Sequence, residues 1–206
     1  VLFFQNKIPE DLEFLGQNFE FHLLEGPQIL KSKRILSEQF LLPQAIRKTK
    51  CDVFLATTYS APIFTSCPII LCMWDITFTT YGNHYAFFQR LVLSVFARIS
   101  SKLALKVITC SEFDSQEIQK NYSIKSEKIK VIELGVPDEF YNVEFTSDAG
   151  TSELDKFKKK KNLPDRFILA LGVIYNRRNI DKLIKGFSES RLVDDEGLSL
   201  VVIGRD

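Results

Sequence analysis

Val107-Ile108-Thr109-Cys110-Ser111-Glu112-Phe113-Asp114 is the stretch on which the fold turns. A run of strand character passes directly into a serine with an acid three positions on, and Ile118 follows one helical turn later. A serine in that place can accept a hydrogen bond from the third N–H of a new helix, so the octet predicts a strand entering a capped helix. The plain role of Ser111 is the cap. Its position adds a second role, because a helix N-terminus at the C-terminal end of a strand faces the crevice where open α/β sheets bind ligands.

Outward from this octet the same alternation continues. Apolar runs of strand length recur at Val1 to Phe4, Phe19 to Leu24, Asp52 to Ala56, Pro68 to Trp74, Lys106 to Cys110, Ile129 to Leu134, Phe167 to Leu171 and Leu198 to Ile203. Several are continuous rather than alternating, as strands covered on both faces require. Helical patterns lie between them, at Ser37 to Lys48, Tyr85 to Leu105, Ser111 to Tyr122, Ser152 to Lys161 and Arg178 to Arg191. Strand and helix in alternation predict a largely parallel α/β sheet.

The pattern breaks at Gly135-Val136-Pro137, and Asn142 to Ser152 is polar without apolar periodicity, a linker signature. The expected organisation is a first domain over 1–143, a linker with a connecting helix over 144–164, and the first part of a second α/β domain over 165–206. One βαβ unit cannot bury both faces of its sheet, so further chain is expected after Asp206. Val1-Leu2-Phe3-Phe4 reads as a strand entered midway rather than as a signal peptide, so residues are expected before Val1 as well.

Composition narrows the function classes. In 206 residues, 45% are hydrophobic and 26% charged, which excludes wholesale disorder. Lysine plus arginine (27) nearly balances aspartate plus glutamate (26), so no global basic field favours nucleic acid, and a phosphate ligand needs a local site. Cys51, Cys67, Cys72 and Cys110 form no CxxC pair and sit in apolar surroundings; with only His22 and His84 to join them, they read as free thiols of a reducing, cytoplasmic compartment and not as a metal site. No metal and no cofactor is expected.

The segment Leu171-Gly172-Val173-Ile174-Tyr175-Asn176-Arg177-Arg178-Asn179-Ile180 carries the clearest chemistry. A strand ends in glycine, a short loop follows, and two arginines precede a helix with Leu183, Ile184 and Phe187. Glycine lets the backbone approach a ligand, a helix N-terminus offers unpaired N–H groups, and guanidinium forks match phosphate oxygens. The set suits a diphosphate, with Gly172, Arg177 and Arg178 as its ligands; the plain alternative is solvated surface charge. GxGxxG and GxxxxGK[ST] are absent, so neither a dinucleotide nor a P-loop fingerprint is supported.

Other strand ends carry weaker signals. Asp75 can accept from a sugar hydroxyl and Trp74 offers a flat apolar face, against a turn or cap role; Tyr59-Ser60-Ala61-Pro62 follows another strand, against a plain loop. Phe87 to Ile99 has apolar residues at helical spacing, with Arg90, Arg98, Lys102 and Lys106 off or at the edge of that face. The arginines exclude a bilayer span. A core helix with snorkelling bases is the first reading, and docking on an anionic membrane surface the second. Lys158 to Lys161 reads as a solvated face.

These segments, taken in order, resemble a known family. Val107 to Phe113 followed by Ile129 to Val136 is similar to the "vitvSefs … kIxVixnGv" stretch of the group 1 (family four) retaining glycosyltransferases of GT-B fold. Leu169 to Gly172 with Asn176 to Ile180 and Leu183 to Phe187 resembles their "LyvGtxxpRKNixxLixAf", and Leu200 to Gly204 their "LvivG". Asp52-Val53-Phe54 and Trp74-Asp75-Ile76 stand where the family has "Dvfh" and "hDl". Each motif alone is weak; the ordered set, from Leu36 onward, is specific.

The resemblance implies two Rossmann-like domains across a cleft, the second incomplete here, with acceptor on the N-terminal side and nucleotide sugar on the C-terminal side. It implies retaining hexose transfer from a nucleoside diphosphate sugar to a glycan or lipid-linked acceptor; the expected place is the cytoplasm, with the inner membrane surface as the alternative that the Phe87 to Ile99 helix leaves open. Arg177 and Arg178 match the basic pair whose second member contacts the donor diphosphate. Tyr59, Trp74, Asp75 and Ser111 fall on the acceptor side. Trp74 replaces the family's usual histidine, which leaves the catalytic residues unknown, and Leu134 replaces its usual asparagine. The Gly-rich first loop and the Glu, seven residues, Glu motif do not occur in this sequence, so the chain alone is expected to be inactive. Asp194-Asp195 lies in a polar loop without the context of a metal-binding DxD pair. Two rivals follow: a GT-B-like sugar-nucleotide or glycan binding protein without catalysis, and another GT-B enzyme such as a sugar-nucleotide epimerase. Oligomeric state is not legible.

Overall fold

The structure, a computed structural model, describes residues 1–4, 7–9, 18–24, 34–140, 148–174, 178–191 and 196–204. The chain divides into two compact units, Val1–Gly135 and Val136–Asp206.

The first unit holds two parallel sheets. Strands β1 (Leu2–Phe4) and β2 (Phe21–Leu23) pair with Phe3 opposite His22. The main sheet has the order β3-β4-β5-β6, from β3 (Phe54–Ala56), β4 (Ile69–Cys72), β5 (Lys106–Thr109) and β6 (Ile129–Val131). All its pairs are parallel, with Leu71 opposite Ala56 on one side and Val107 on the other. β4 is apolar at every position because it lies between two neighbours and both its faces are covered, and Leu71 is fully buried.

Helices α1 (Arg34–Thr49), α2 (Thr77–Thr80), α3 (Phe87–Leu103) and α4 (Glu112–Tyr122) complete this unit. Its core joins Ile69, Leu71, Met73 and Val107 to Phe78, Ala97, Ile118 and Tyr122. α3 packs on this core through Ala97 and Leu93, as the reading of a core helix expects. Its buried residues are Ala97, Ser100 and Ser101, small enough for a close approach. The Ala61 N–H donates to Ser100 Oγ at 3.0 Å. Phe87, Phe88, Leu91 and Val95 are exposed instead.

The second unit contains α5 (Asp148–Lys160), β7 (Phe167–Leu171), α6 (Ile180–Glu189) and β8 (Ser199–Ile203). α5 begins before the Ser152 expected from periodicity, as an aspartate near a helix start favours. The remainder of the polar stretch, 141–147, lies outside the described residues. β7 and β8 pair in parallel, Leu169 opposite Val201, the geometry of a βαβ crossover through α6. Arg166 clasps the entry to β8, donating to the Glu196 carbonyl at 2.6 Å and its carboxylate at 3.0 Å. All four cysteines are free thiols, Cys67 and Cys72 buried and Cys51 and Cys110 half-buried.

Candidate functional site

Two sets of side chains gather at the C-terminal ends of parallel strands, one in each unit. In the first unit, Tyr59, Trp74, Asp75 and Ser111 follow β3, β4 and β5 in the same direction. Trp74 bridges two strand ends, since its indole Nε1–H donates to the Thr57 carbonyl at 3.0 Å. It remains 39% exposed, which leaves part of the ring to solvent. From below, the Cys110 thiol donates to the Trp74 carbonyl at 3.4 Å.

Asp75 Oδ1 accepts the Thr77 N–H at 2.9 Å and the Thr77 hydroxyl at 2.7 Å. This is an Asx turn, the structural role weighed for Asp75 from sequence. Both bonds fall on one oxygen, and Oδ2 has no hydrogen-bond partner among the described residues. Thr77 in turn shares a hydrogen bond with the Tyr85 hydroxyl at 2.9 Å. Tyr59 packs on Phe78 at 5.0 Å between ring centroids, and Phe78 meets Tyr85 edge-on at 6.5 Å.

Ser111 is the cap of α4 that its spacing predicts. Its Oγ accepts from the Asp114 N–H at 3.1 Å and donates to Asp114 Oδ2 at 2.5 Å. Cys110 also reaches Asp114 Oδ2, at 3.8 Å. Burial, followed by the charge of Asp114, raises the Cys110 pKa, so the thiol stays protonated and remains the donor that Trp74 needs. Thr57, Thr77, Tyr85, Cys110 and Asp114 support this set. Only Asp114, through its spacing from Ser111, signals that role in the sequence.

In the second unit the site forms where β7 ends. Gly172 has φ +142°, and its N–H donates to the Ile203 carbonyl at 2.8 Å. A Cβ there would meet Arg178 Nη1 at 2.6 Å and Cζ at 2.8 Å, so the guanidinium lies directly over the glycine backbone. Gly204, at the matching end of β8, has its missing Cβ pointed at the Gly172 carbonyl oxygen. Gly204 is therefore a steric necessity of the close approach of the two strand ends, and Gly172 is required by its positive φ. Arg178 is exposed.

α6 starts two residues after Arg178. Asn179, its N-cap, has φ 50° and ψ 40° and makes no side-chain capping bond. The first N–H groups of the helix thus lack the usual side-chain acceptor. Arg177 and Asp194-Asp195 lie outside the described residues. Gly172 and Arg178 are brought into contact, and what they offer together is a fork of donors on an anion-favouring helix terminus.

Among the described residues no helix is long and apolar enough to cross a membrane. The family model Glycosyltransferase Family 4 matches residues 2–140. The serotype-specific mannosyltransferase WbdA of Escherichia coli is 30% identical over 82 residues, which are 40% of this chain and 10% of that protein. The chain thus matches about a tenth of that relative's length. Among solved structures, Anabaena Alr3699/HepE, crystallised in complex with UDP and glucose, superposes with a TM-score of 0.60 at 16% identity. The superposition covers 90% of this chain and 47% of that one, about half its length.

Proposed function

The chain belongs to glycosyltransferase family 4 and has an α/β fold of the GT-B type; from that premise we propose that it carries the acceptor side and the diphosphate anchor of a retaining hexosyltransferase. The donor is a nucleoside diphosphate sugar and the acceptor a glycan or lipid-linked sugar. The observation that carries this reading is the Arg178 guanidinium laid over Gly172 beside the uncapped start of α6.

As the bond from the sugar to the leaving phosphate breaks, negative charge grows on the diphosphate. Donors already in place around those oxygens stabilise that charge at little reorganisation cost, more in the transition state than in the bound substrate. A planar guanidinium does this through two parallel hydrogen bonds, and α6 adds its N–H groups. On the acceptor side, Asp75 Oδ2 is available to a sugar hydroxyl and the exposed part of Trp74 to the apolar face of a ring. Free nucleotide is the simplest probe, and UDP comes first because it is the nucleotide bound by HepE. Glucosyl and mannosyl donors are the pair to assay, given the relatives.

In the full-length protein, Arg178→Ala should weaken UDP binding by about 1.5–3 kcal/mol, the range for a hydrogen bond to a charged group. It should also lower turnover rather than only raise KM, because the contact strengthens as the leaving group ionises. Calorimetric titration and steady-state kinetics measure the two effects, and unchanged affinity with unchanged turnover would reduce Arg178 to surface charge.

Trp74 favours a second reading, a sugar-nucleotide or glycan binding protein without catalysis. An indole neither gives nor takes a proton at neutral pH, and its N–H is committed to Thr57. Binding of UDP that depends on Arg178, with no glycoside formed from either donor in a product assay of the full-length protein, would select this reading.

A further inference from the structure

The N-terminal half of α3 presents an apolar face that the described residues leave exposed. At about 100° per residue, positions 87, 88, 91, 95, 98 and 102 fall within one arc of about 100°. On that arc Phe87 is 72% exposed, Phe88 78%, Leu91 48% and Val95 43%. The two phenylalanines stand edge to face, 5.7 Å between centroids. Arg98 and Lys102 continue the same face toward the C-terminus, and Arg90 flanks it. The apolar half is therefore followed by a basic half along one helix.

The surrounding charge is one-sided. No acidic residue occurs between Asp75 and Glu112, whereas Arg90, Arg98, Lys102 and Lys106 all do. The chain as a whole carries a net charge of only +1, so this is a local concentration of positive charge. On the neighbouring α4, Glu117 is held by the Asn121 side chain at 3.3 Å. Arg98 donates to the Asn121 carbonyl at 2.9 Å and stacks on Tyr122 at 5.7 Å, which fixes its charge near the face.

Exposed aromatics beside unopposed bases match an anionic lipid surface, where rings enter the acyl boundary and basic side chains meet headgroups. A second copy of the chain fits less well. The face consists of six side chains of one helix, whereas a stable dimer interface commits about 20–30 residues a side. We propose that the exposed face of α3 is a docking surface for anionic membrane, held by Phe87, Phe88, Leu91 and Val95 with Arg98 and Lys102.

Co-sedimentation with vesicles of phosphatidylcholine containing phosphatidylglycerol, and of phosphatidylcholine alone, tests this directly. The protein should pellet with the anionic vesicles, less so at raised salt, and far less with the neutral ones. Phe87→Ser/Phe88→Ser should reduce partitioning about tenfold or more, with an unchanged circular dichroism spectrum. Phe40→Ser should leave it unaltered, since Phe40 is exposed on a different helix, α1. No binding to anionic vesicles, or equal binding by the double variant, would overturn the proposal. So would concentration-dependent self-association in sedimentation velocity that the double variant abolishes, because the face would then belong to a second copy.

Discussion

Single residues show how the sheet's ligand-facing end is held together from beneath. Tyr122 is almost wholly buried, yet its hydroxyl shares a hydrogen bond with Thr79 Oγ1 at 2.8 Å, tying α4 to α2. Burial raises the Tyr122 pKa, against the opposing effects of the Thr79 bond and the Arg98 charge. Tyr122→Phe should cost about 0.5–1.5 kcal/mol at neutral pH, the net value of a protein hydrogen bond. Above pH about 10 the unfolded phenol loses its proton while the folded one keeps it, so wild type loses stability that the Phe variant retains. Urea denaturation at neutral and alkaline pH should therefore show the gap narrowing; a widening gap would mean that the fold favours the phenolate. Among residues, Ser111 was legible because a cap is a local matter of spacing. The approach of Arg178 to Gly172 was not, because it depends on a loop path that no periodicity records.

At the scale of elements, α4 depends on its cap. The helix is short and mostly polar, and Ser111 joins its start to Asp114 and, through that carboxylate, to Cys110 and the Trp74 carbonyl. Ser111→Ala should cost about 0.5–2 kcal/mol, whereas Ser111→Asn, an equally good cap, should cost much less. Thermal unfolding of both variants checks this, and equal losses would mean that the hydroxyl serves something other than the cap. The strands and longer helices were readable because apolar runs and helical spacing are strong signals over many residues. α2 was not, because Thr77-Phe78-Thr79-Thr80 is rich in β-branched residues that favour extended backbone. It forms because the Asp75 turn aims it and the core takes Phe78. α3 shows the opposite limit: its period gives a helix, but period alone does not say which stripe faces inward, and Ala97, Ser100 and Ser101 do so together with Leu93.

For the molecule as a whole, the family and fold were legible from ordered motifs, and membership of glycosyltransferase family 4 agrees with them. Substrate and chemistry were less so, because the residues that choose a sugar are contacts made by loops. The central claim is that the diphosphate of a sugar nucleotide sits against Gly172, Arg178 and the start of α6. Amide chemical shifts followed by two-dimensional NMR during titration with UDP test it most directly, since each N–H reports its own surroundings. The account predicts that the Gly172, Ile180 and Asp181 amides shift together, saturate with one affinity, and cease to respond in Arg178→Ala. Shifts confined to the first unit, or unchanged shifts of these three amides at saturating UDP, would contradict it.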